Sequence, residues 1–258
     1  MDWKNKIIFL TGASSGIGEA LAIELAKKGA ILGLLARRED LLKEIAVKCE
    51  NAGGKARSFS CDVVDEKGVH AAAESLRKEF GKIDVMIANA GIGNPNHAKD
   101  LEASEVRKVT EINFFGAVNA VTAVLPQMIE QNSGQIVAVS SLAGFRGLPR
   151  SASYSASKAA MTNFFESLRL DLLNTNVDVT IIQPGFIRTP LTDDRANKMP
   201  FLMELDDAIP HFIDAIEKRK KFAAFPWQLA TLVRLARIFP ASIYDKIAGK
   251  TNYREKNQ

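Results

Sequence analysis

The sequence predicts a single α/β domain built on a doubly wound parallel sheet of about seven strands, with helices on both faces and a helical extension at the C-terminus. Short apolar runs alternate with longer segments of helical period along nearly the whole chain. The runs are continuous rather than alternating, as strands covered on both faces require. A glycine-rich turn joins the first run to the first helical segment.

Residues 6–11 read as a strand and 16–28 as an Ala/Leu/Glu-rich helix closed by Gly29. A strand at 31–36 follows, then a helix at 38–51 stopped by Gly53 and Gly54, and a strand at 56–60. Helix 66–80 and strand 84–88 complete the next unit, and helical sequence dominates from about 101 to 131. Residues 135–140 form a strand, and a long helix at about 151–174 precedes the strand 178–183. Pro184 and Gly185 then break regularity, and a last short strand occupies 222–225. No linker, repeat or low-complexity tract interrupts the pattern. Residues 1–226 are therefore expected to form one domain, and 227–258 a helical extension packed on that domain or on a partner subunit.

The formal charge of +4 is small and scattered, with no basic stripe interleaved with aromatics, which argues against nucleic acid. Cys49 and Cys61 form no CxxC pair, and His70, His97 and His211 lack metal-ligand spacing, so all five are read as structural or surface residues and no metal is expected. The first apolar run is too short for a signal peptide, so the chain is expected to stay in the cytoplasm. No uninterrupted apolar stretch is long enough to span a membrane.

Thr11-Gly12-Ala13-Ser14-Ser15-Gly16-Ile17-Gly18 lies between the first strand and its helix. Its glycines suit a tight turn that lets the backbone approach a pyrophosphate at a helix N-terminus, where N–H groups and the macrodipole favour anions. The spacing departs from the general G-x-G-x-x-G fingerprint, and an ordinary strand-to-helix loop is the simpler alternative for the turn taken alone. The second strand ends Ala36-Arg37-Arg38, with no acidic residue to hold a ribose 2′-hydroxyl. Arg37, assisted by Arg38, would instead meet a 2′-phosphate, so NADP(H) is favoured over NAD(H).

Tyr154 and Lys158 stand four apart near the start of a helix and project from one face. An ammonium beside a phenol favours the phenolate and lowers a pKa that is ordinarily about 10, which suits the pair to proton transfer. A chance pair on a solvated helix face is the competing reading, and Ser141, thirteen residues before Tyr154 and just past a strand, argues against it.

With Asp62-Val63, Asn89-Ala90-Gly91, Asn113, Ser140-Ser141, Tyr154-Ser155-Ala156-Ser157-Lys158 and Pro184-Gly185-Phe186-Ile187-Arg188-Thr189 in order after the glycine-rich turn, the sequence resembles the short-chain dehydrogenase/reductase family over almost its whole length. The resemblance implies a Rossmann sheet and an enzyme that moves hydride between a nicotinamide cofactor and a carbonyl or alcohol. It implies Tyr154 as general acid or base, Lys158 as the group that lowers its pKa and holds the nicotinamide ribose, and Ser141, preferred over Ser140 by spacing, as donor to the substrate oxygen. Asn113 would hold a water for proton relay to Lys158. Gly12, Ser14, Ser15, Gly16, Ile17 and Gly18 would cradle the pyrophosphate, Asp62 and Val63 would contact adenine, and Asn89, Ala90 and Gly91 would run beside the cofactor. Pro184, Gly185, Ile187 and Thr189 would position the carboxamide. Ala88 departs from the pattern, since many relatives carry another Asn there. A homodimer or homotetramer is expected by analogy.

Leu142, Phe145 and Leu148 after the serine, with Leu191, Met199, Phe201, Leu202 and Met203 in the segment after Thr189, favour a small-molecule substrate that is an apolar ketone or aldehyde. The run 217–221 reads as a solvated helix end. Residues 227–239 form a basic amphipathic helix, and 242–248 a second short one. Packing on the domain or a second subunit is preferred for these over contact with an anionic membrane surface. The alternative to an enzyme is a dinucleotide-sensing or scaffold protein that keeps the fold without the chemistry.

Overall fold

In the computed structural model, residues 1–93, 95, 97–193 and 199–249 are described. The end of the predicted extension, 250–258, lies outside them, as do 194–198 of the segment after Thr189. The strands are β1 (Ile7–Thr11), β2 (Ile31–Ala36), β3 (Lys55–Ser60), β4 (Val85–Ala88), β5 (Gly134–Val139), β6 (Val177–Pro184) and β7 (Phe222–Phe225). They form one sheet in the order β3-β2-β1-β4-β5-β6-β7, and every neighbouring pair is parallel.

Alternation along β1 builds both layers of the core. Ile8 and Leu10 pack with α1 (Gly16–Lys27) and α2 (Glu39–Asn51) on one face. Ile7 and Phe9 pack on the other with α3 (Glu66–Phe80), joined by residues of three further helices considered next. Full burial of each such side chain contributes about 1.5–3 kcal/mol, which explains why the apolar runs mark the strands so well. Cys49 belongs to the first layer, and burial pushes its thiol up to about 12, leaving it a packing residue.

The helical sequence of 101–131 resolves into α4 (Ala103–Thr110), a π-helical turn (Glu111–Phe115) and α5 (Gly116–Glu130). By length and mean hydropathy of 1.4, the continuous stretch Ala103–Glu130 could cross a membrane. Its inner face is core: Ala117, Ala120, Val121, Val124 and Met128 are buried under the sheet. The predicted helix 151–174 is α6 (Ala152–Asp171), and α7 (Leu205–Glu217) covers the opposite face. The run 217–221 is an exposed helix end, as expected, whose charges are also paired: Lys218 and Lys220 meet Asp214, Arg219 meets Asp178, and Glu217 accepts from Trp3 Nε1 at 2.6 Å. Beyond β7 lie α8 (Trp227–Ile238) and α9 (Ala241–Ala248).

The strand order reverses direction between β1 and β4. In sheets of this kind ligands bind at the carboxyl ends of the strands beside that switch point.

Candidate active site

A cleft of about 370 Å³ opens at this switch point. Its floor is the turn after β1, where Gly12 adopts φ +67° and a Cβ would stand 2.6 Å from Ala90 Cα. At Gly18 a Cβ would lie 2.1 Å from the Gly12 carbonyl oxygen, so this residue packs beneath the turn and does not face the cleft. Asn89 locks the arrangement: its Nδ2 donates to the Thr11 and Gly12 carbonyls at 3.2 Å, while the Thr11 hydroxyl accepts from the Asn89 and Ala90 N–H groups. Ser15, the N-cap of α1, makes no side-chain capping bond to the first-turn amides, and it lines the cleft with Gly16 and Ile17. These features suit a bound pyrophosphate.

A second cavity, of about 360 Å³, lies beside it, with Ser141 and Tyr154 on its wall and Leu191 lining both spaces. The two serines after β5 point in opposite directions, as consecutive residues of extended chain do. Ser140 Oγ meets the Lys158 carbonyl at 3.0 Å and Thr162 Oγ1 at 2.8 Å on α6, whereas Ser141 faces the cavity. Lys158 is 3% exposed; its Nζ donates to the Val139 carbonyl at 2.8 Å and lies 6.0 Å from the centre of the Tyr154 ring. Burial pushes its ammonium down to about 8. The Val139 carbonyl pulls the other way, favouring the charged form.

Asn113 is fully buried in the π-helical turn. Its Oδ1 accepts from the Ile92 N–H at 2.7 Å, and its Nδ2 donates to the Ile92 carbonyl at 2.9 Å and to Ser157 Oγ at 3.0 Å. The side chain thus ties the segment after β4 to α6. Gly91 runs between them, since a Cβ there would stand 3.3 Å from Asn113 Oδ1 and 3.5 Å from Lys158 Nζ.

Residues 6–200 match the family model described as short chain dehydrogenase. The chain belongs to the short-chain dehydrogenase family. It is 41% identical over 239 residues to an uncharacterized oxidoreductase of Myxococcus xanthus, covering 93% of this chain and 94% of that one. It is 36% identical over 250 residues to the 11-beta-hydroxysteroid dehydrogenase-like 4A of Arabidopsis thaliana, covering 93% and 83%. Levodione reductase shares the fold with a TM-score of 0.80 at 23% identity, over 88% of this chain and 98% of that one. A short-chain dehydrogenase/reductase from Mycobacterium marinum superposes with the same TM-score at 25% identity, over 87% and 95%. As a short-chain dehydrogenase the protein is an oxidoreductase that uses a nicotinamide dinucleotide.

Gly12, Ser14, Ser15, Gly16, Ile17, Arg37, Arg38, Asp62, Val63, Asn89, Ala90, Gly91 and Thr189 all line the first cleft. Pro184 ends β6, Gly185 lines the second cavity, and Ile187 is buried in the core through its bridge to Met203, so these three stand apart from the cleft. The two arginines are held differently at the cleft. Arg38 reaches over the turn, donating to Ser14 Oγ at 2.9 Å and to Ser15 Oγ at 2.7 Å, while Arg37 is 61% exposed and faces Asp62 Oδ2 at 3.6 Å. Cys61, read from sequence as structural or surface, lines the cleft; a lone cysteine next to Asp62 gave no motif to find it by. Ala88 is buried in β4, where a methyl group fills the strand's core face.

The second cavity is walled in part by the C-terminal extension, which the sequence did not assign to the site. Leu229, Leu232, Val233 and Ala236 of α8 face it, together with Leu142, Leu148, Leu191 and Met199. Phe201 is exposed instead, and Met203 packs on the core. Arg146 fastens this wall: its guanidinium donates to the Ala236 and Phe239 carbonyls at the end of α8 and lies 3.8 Å from the centre of the Tyr244 ring. A cation there adds to the bond the Ala236 carbonyl already accepts from the Phe239 N–H, reaches the Phe239 carbonyl as well, and complements the helix dipole. Hydrogen bonds from a charged donor contribute about 1.5–3 kcal/mol. In Arg146→Ala we expect limited trypsin digestion after Arg234 and Arg237 to speed up roughly tenfold or more, with the global denaturant midpoint unchanged.

Proposed function

We propose that the protein is an NADP(H)-dependent reductase of an apolar ketone or aldehyde, with Tyr154 as the proton donor. The observation that carries this reading is the pair of hydroxyl groups, on Ser141 and Tyr154, on the wall of an otherwise apolar cavity adjoining the dinucleotide cleft. A nicotinamide bound in that cleft supplies the hydride. Ser141 orients and polarises the carbonyl oxygen, and Tyr154 gives that oxygen its proton. Lys158, as an ammonium beneath the ring, stabilises the phenolate that remains. Asn113 holds the Ile92 backbone and α6 in register, which fixes the distance between the cleft and the catalytic helix. The apolar wall excludes water and selects hydrophobic substrates; the likeness to a hydroxysteroid dehydrogenase-like protein accords with a bulky one.

Preference for NADP(H) rests on two guanidinium groups at the end of the cleft and on Ala36, where an acid would repel a 2′-phosphate. We expect Arg37→Ala and Arg38→Ala each to raise the dissociation constant for NADPH by roughly ten- to a hundredfold, the worth of charge-assisted hydrogen bonds. Titration with NADH should show little change for Arg37→Ala and a modest loss for Arg38→Ala, which also releases Ser14 and Ser15. Equal losses for both cofactors would refute the assignment. Consumption of NADPH against a panel of aldehydes, ketones, diketones and 3-oxoacyl esters, with NADH in parallel, tests the whole reading. Turnover of apolar carbonyls with NADPH is expected, whereas tight cofactor binding with no turnover of any of them would favour a sensing or scaffold role.

A further inference from the structure

Packing on the domain accounts for one face of α8 and leaves another. Trp227, Leu232, Leu235 and Ile238 on α8, with Ile243 and Ile247 on α9, are 47–76% exposed. A docked helix ordinarily shows polar residues on its outer face, and apolar surface gathered in this way marks an interaction site. The charge of the same segment is as uneven. Residues 227–258 hold six of the 34 Lys and Arg residues and two of the 30 Asp and Glu residues, so the extension carries the entire formal charge of +4 and residues 1–226 balance at zero. Arg234 and Arg237, both exposed, are the charged residues of α8.

We propose that α8 and α9 dock on an anionic membrane surface, their apolar outer face in the headgroup boundary and their basic residues on the lipid phosphates. Charge decides between this and a second copy of the chain. The described residues of α8 and α9 carry Arg234, Arg237 and Lys246 against Asp245, so apposing two such faces would set like net charges against each other, whereas an anionic surface neutralises the excess. The patch is also continuous with the mouth of the substrate cavity, because Leu232 and Ile247 belong to both. An apolar substrate dissolved in the bilayer therefore enters the cavity without crossing water. Docking itself does not depend on the catalytic reading, and the measurements below involve no turnover, so the two fail separately.

The chain contains two tryptophans, of which Trp3 is 3% exposed and Trp227 is 72% exposed, so Trp227 reports on this face. The full-length protein is mixed with phosphatidylcholine vesicles, with and without phosphatidylserine, and followed by sedimentation and tryptophan emission. Pelleting and a blue shift with the phosphatidylserine vesicles, both reduced by high salt, are expected, with little of either on phosphatidylcholine alone. Arg234→Gln/Arg237→Gln should lower the partition coefficient about thirtyfold, at about 1 kcal/mol for each basic residue. Trp227→Ser/Leu235→Ser/Ile238→Ser, none of which lines the cavity, should abolish pelleting while leaving NADPH affinity unchanged. Absence of pelleting and of any shift by the unmodified protein on phosphatidylserine vesicles would overturn the proposal. So would a concentration-dependent blue shift without vesicles that accompanies dimer formation in sedimentation velocity, which would assign the face to a second copy.

Discussion

Replacing Tyr154 with Phe lowers kcat for carbonyl reduction by roughly a hundred- to ten-thousandfold, the contribution of a positioned acid, and leaves the dissociation constant for NADPH unchanged. The substitution removes one oxygen and keeps the ring. The ring's packing is what the structure most constrains: a Cβ on Gly93 would stand 3.1 Å from Tyr154 Cδ2, so the backbone after β4 passes directly over it. Tyr154 is absent from the wall of the first cleft, which is built from the turn after β1 and from the ends of β2 and β4. Steady-state kinetics together with a fluorescence titration of NADPH separate the two effects. Retention of more than about a tenth of wild-type kcat would leave the general-acid role without support.

Lys158→Met is expected to cut turnover sharply and to make the protein more stable. Lys158 is enclosed on α6 with its Nζ against the Val139 carbonyl and 3.8 Å from Met161 Sδ. Burial lowers its pKa from 10.5 to about 8, so the folded state binds fewer protons than the unfolded state between these values. The resulting cost to stability is fully present below about pH 8 and is relieved as the pH rises towards 10.5. At about 1.36 kcal/mol per pH unit it amounts to about 3 kcal/mol at pH 7. Loss of the hydrogen bond to Val139 offsets about 1–2 kcal/mol of the gain, and Met fills much the same volume. The net expectation is a gain of about 1–2 kcal/mol at pH 7, read from denaturant midpoints, that shrinks as the pH is raised through 8 to 10. Turnover falls roughly a hundred- to a thousandfold, as for other electrostatic stabilisers. A functional group held at the expense of stability is a common trade at active sites. A variant that is less stable at pH 7, with the difference growing at high pH, would show that the lysine is there for structure.

The central strands were legible in the sequence because both faces of the sheet are covered there, so β1, β2 and β4 read as buried apolar runs, whereas the edge strand β3, Lys55-Ala56-Arg57-Ser58-Phe59-Ser60, is partly exposed and mixed in character. The π-helical turn was not, because the apolar pattern passes through residues 111–115 without a break; the change of winding accompanies tertiary hydrogen bonds from Asn113 to Ile92, which no local pattern encodes. Ser140 and Ser141 were separated only by spacing, and their opposite orientations in extended chain supply the physical distinction. The sequence put Arg37 ahead of Arg38 but could not show that Arg38 is the one that crosses the turn, which depends on how the strand end meets Ser14 and Ser15. The apolar stripe of α8 was visible, but a stripe does not say what it faces. Here Leu229 and Val233 wall the cavity while Trp227 and Ile238 point outward.

The claim that ties these features together is direct hydride transfer between a nicotinamide and a carbonyl carbon held against Ser141 and Tyr154. It is tested by turnover with NADPH carrying deuterium on one or the other face of C4, followed by mass spectrometry of the alcohol. Deuterium at the carbinol carbon from one label and not the other is the predicted result. An unlabelled product from both, or label that appears only when the reaction is run in heavy water, would contradict it.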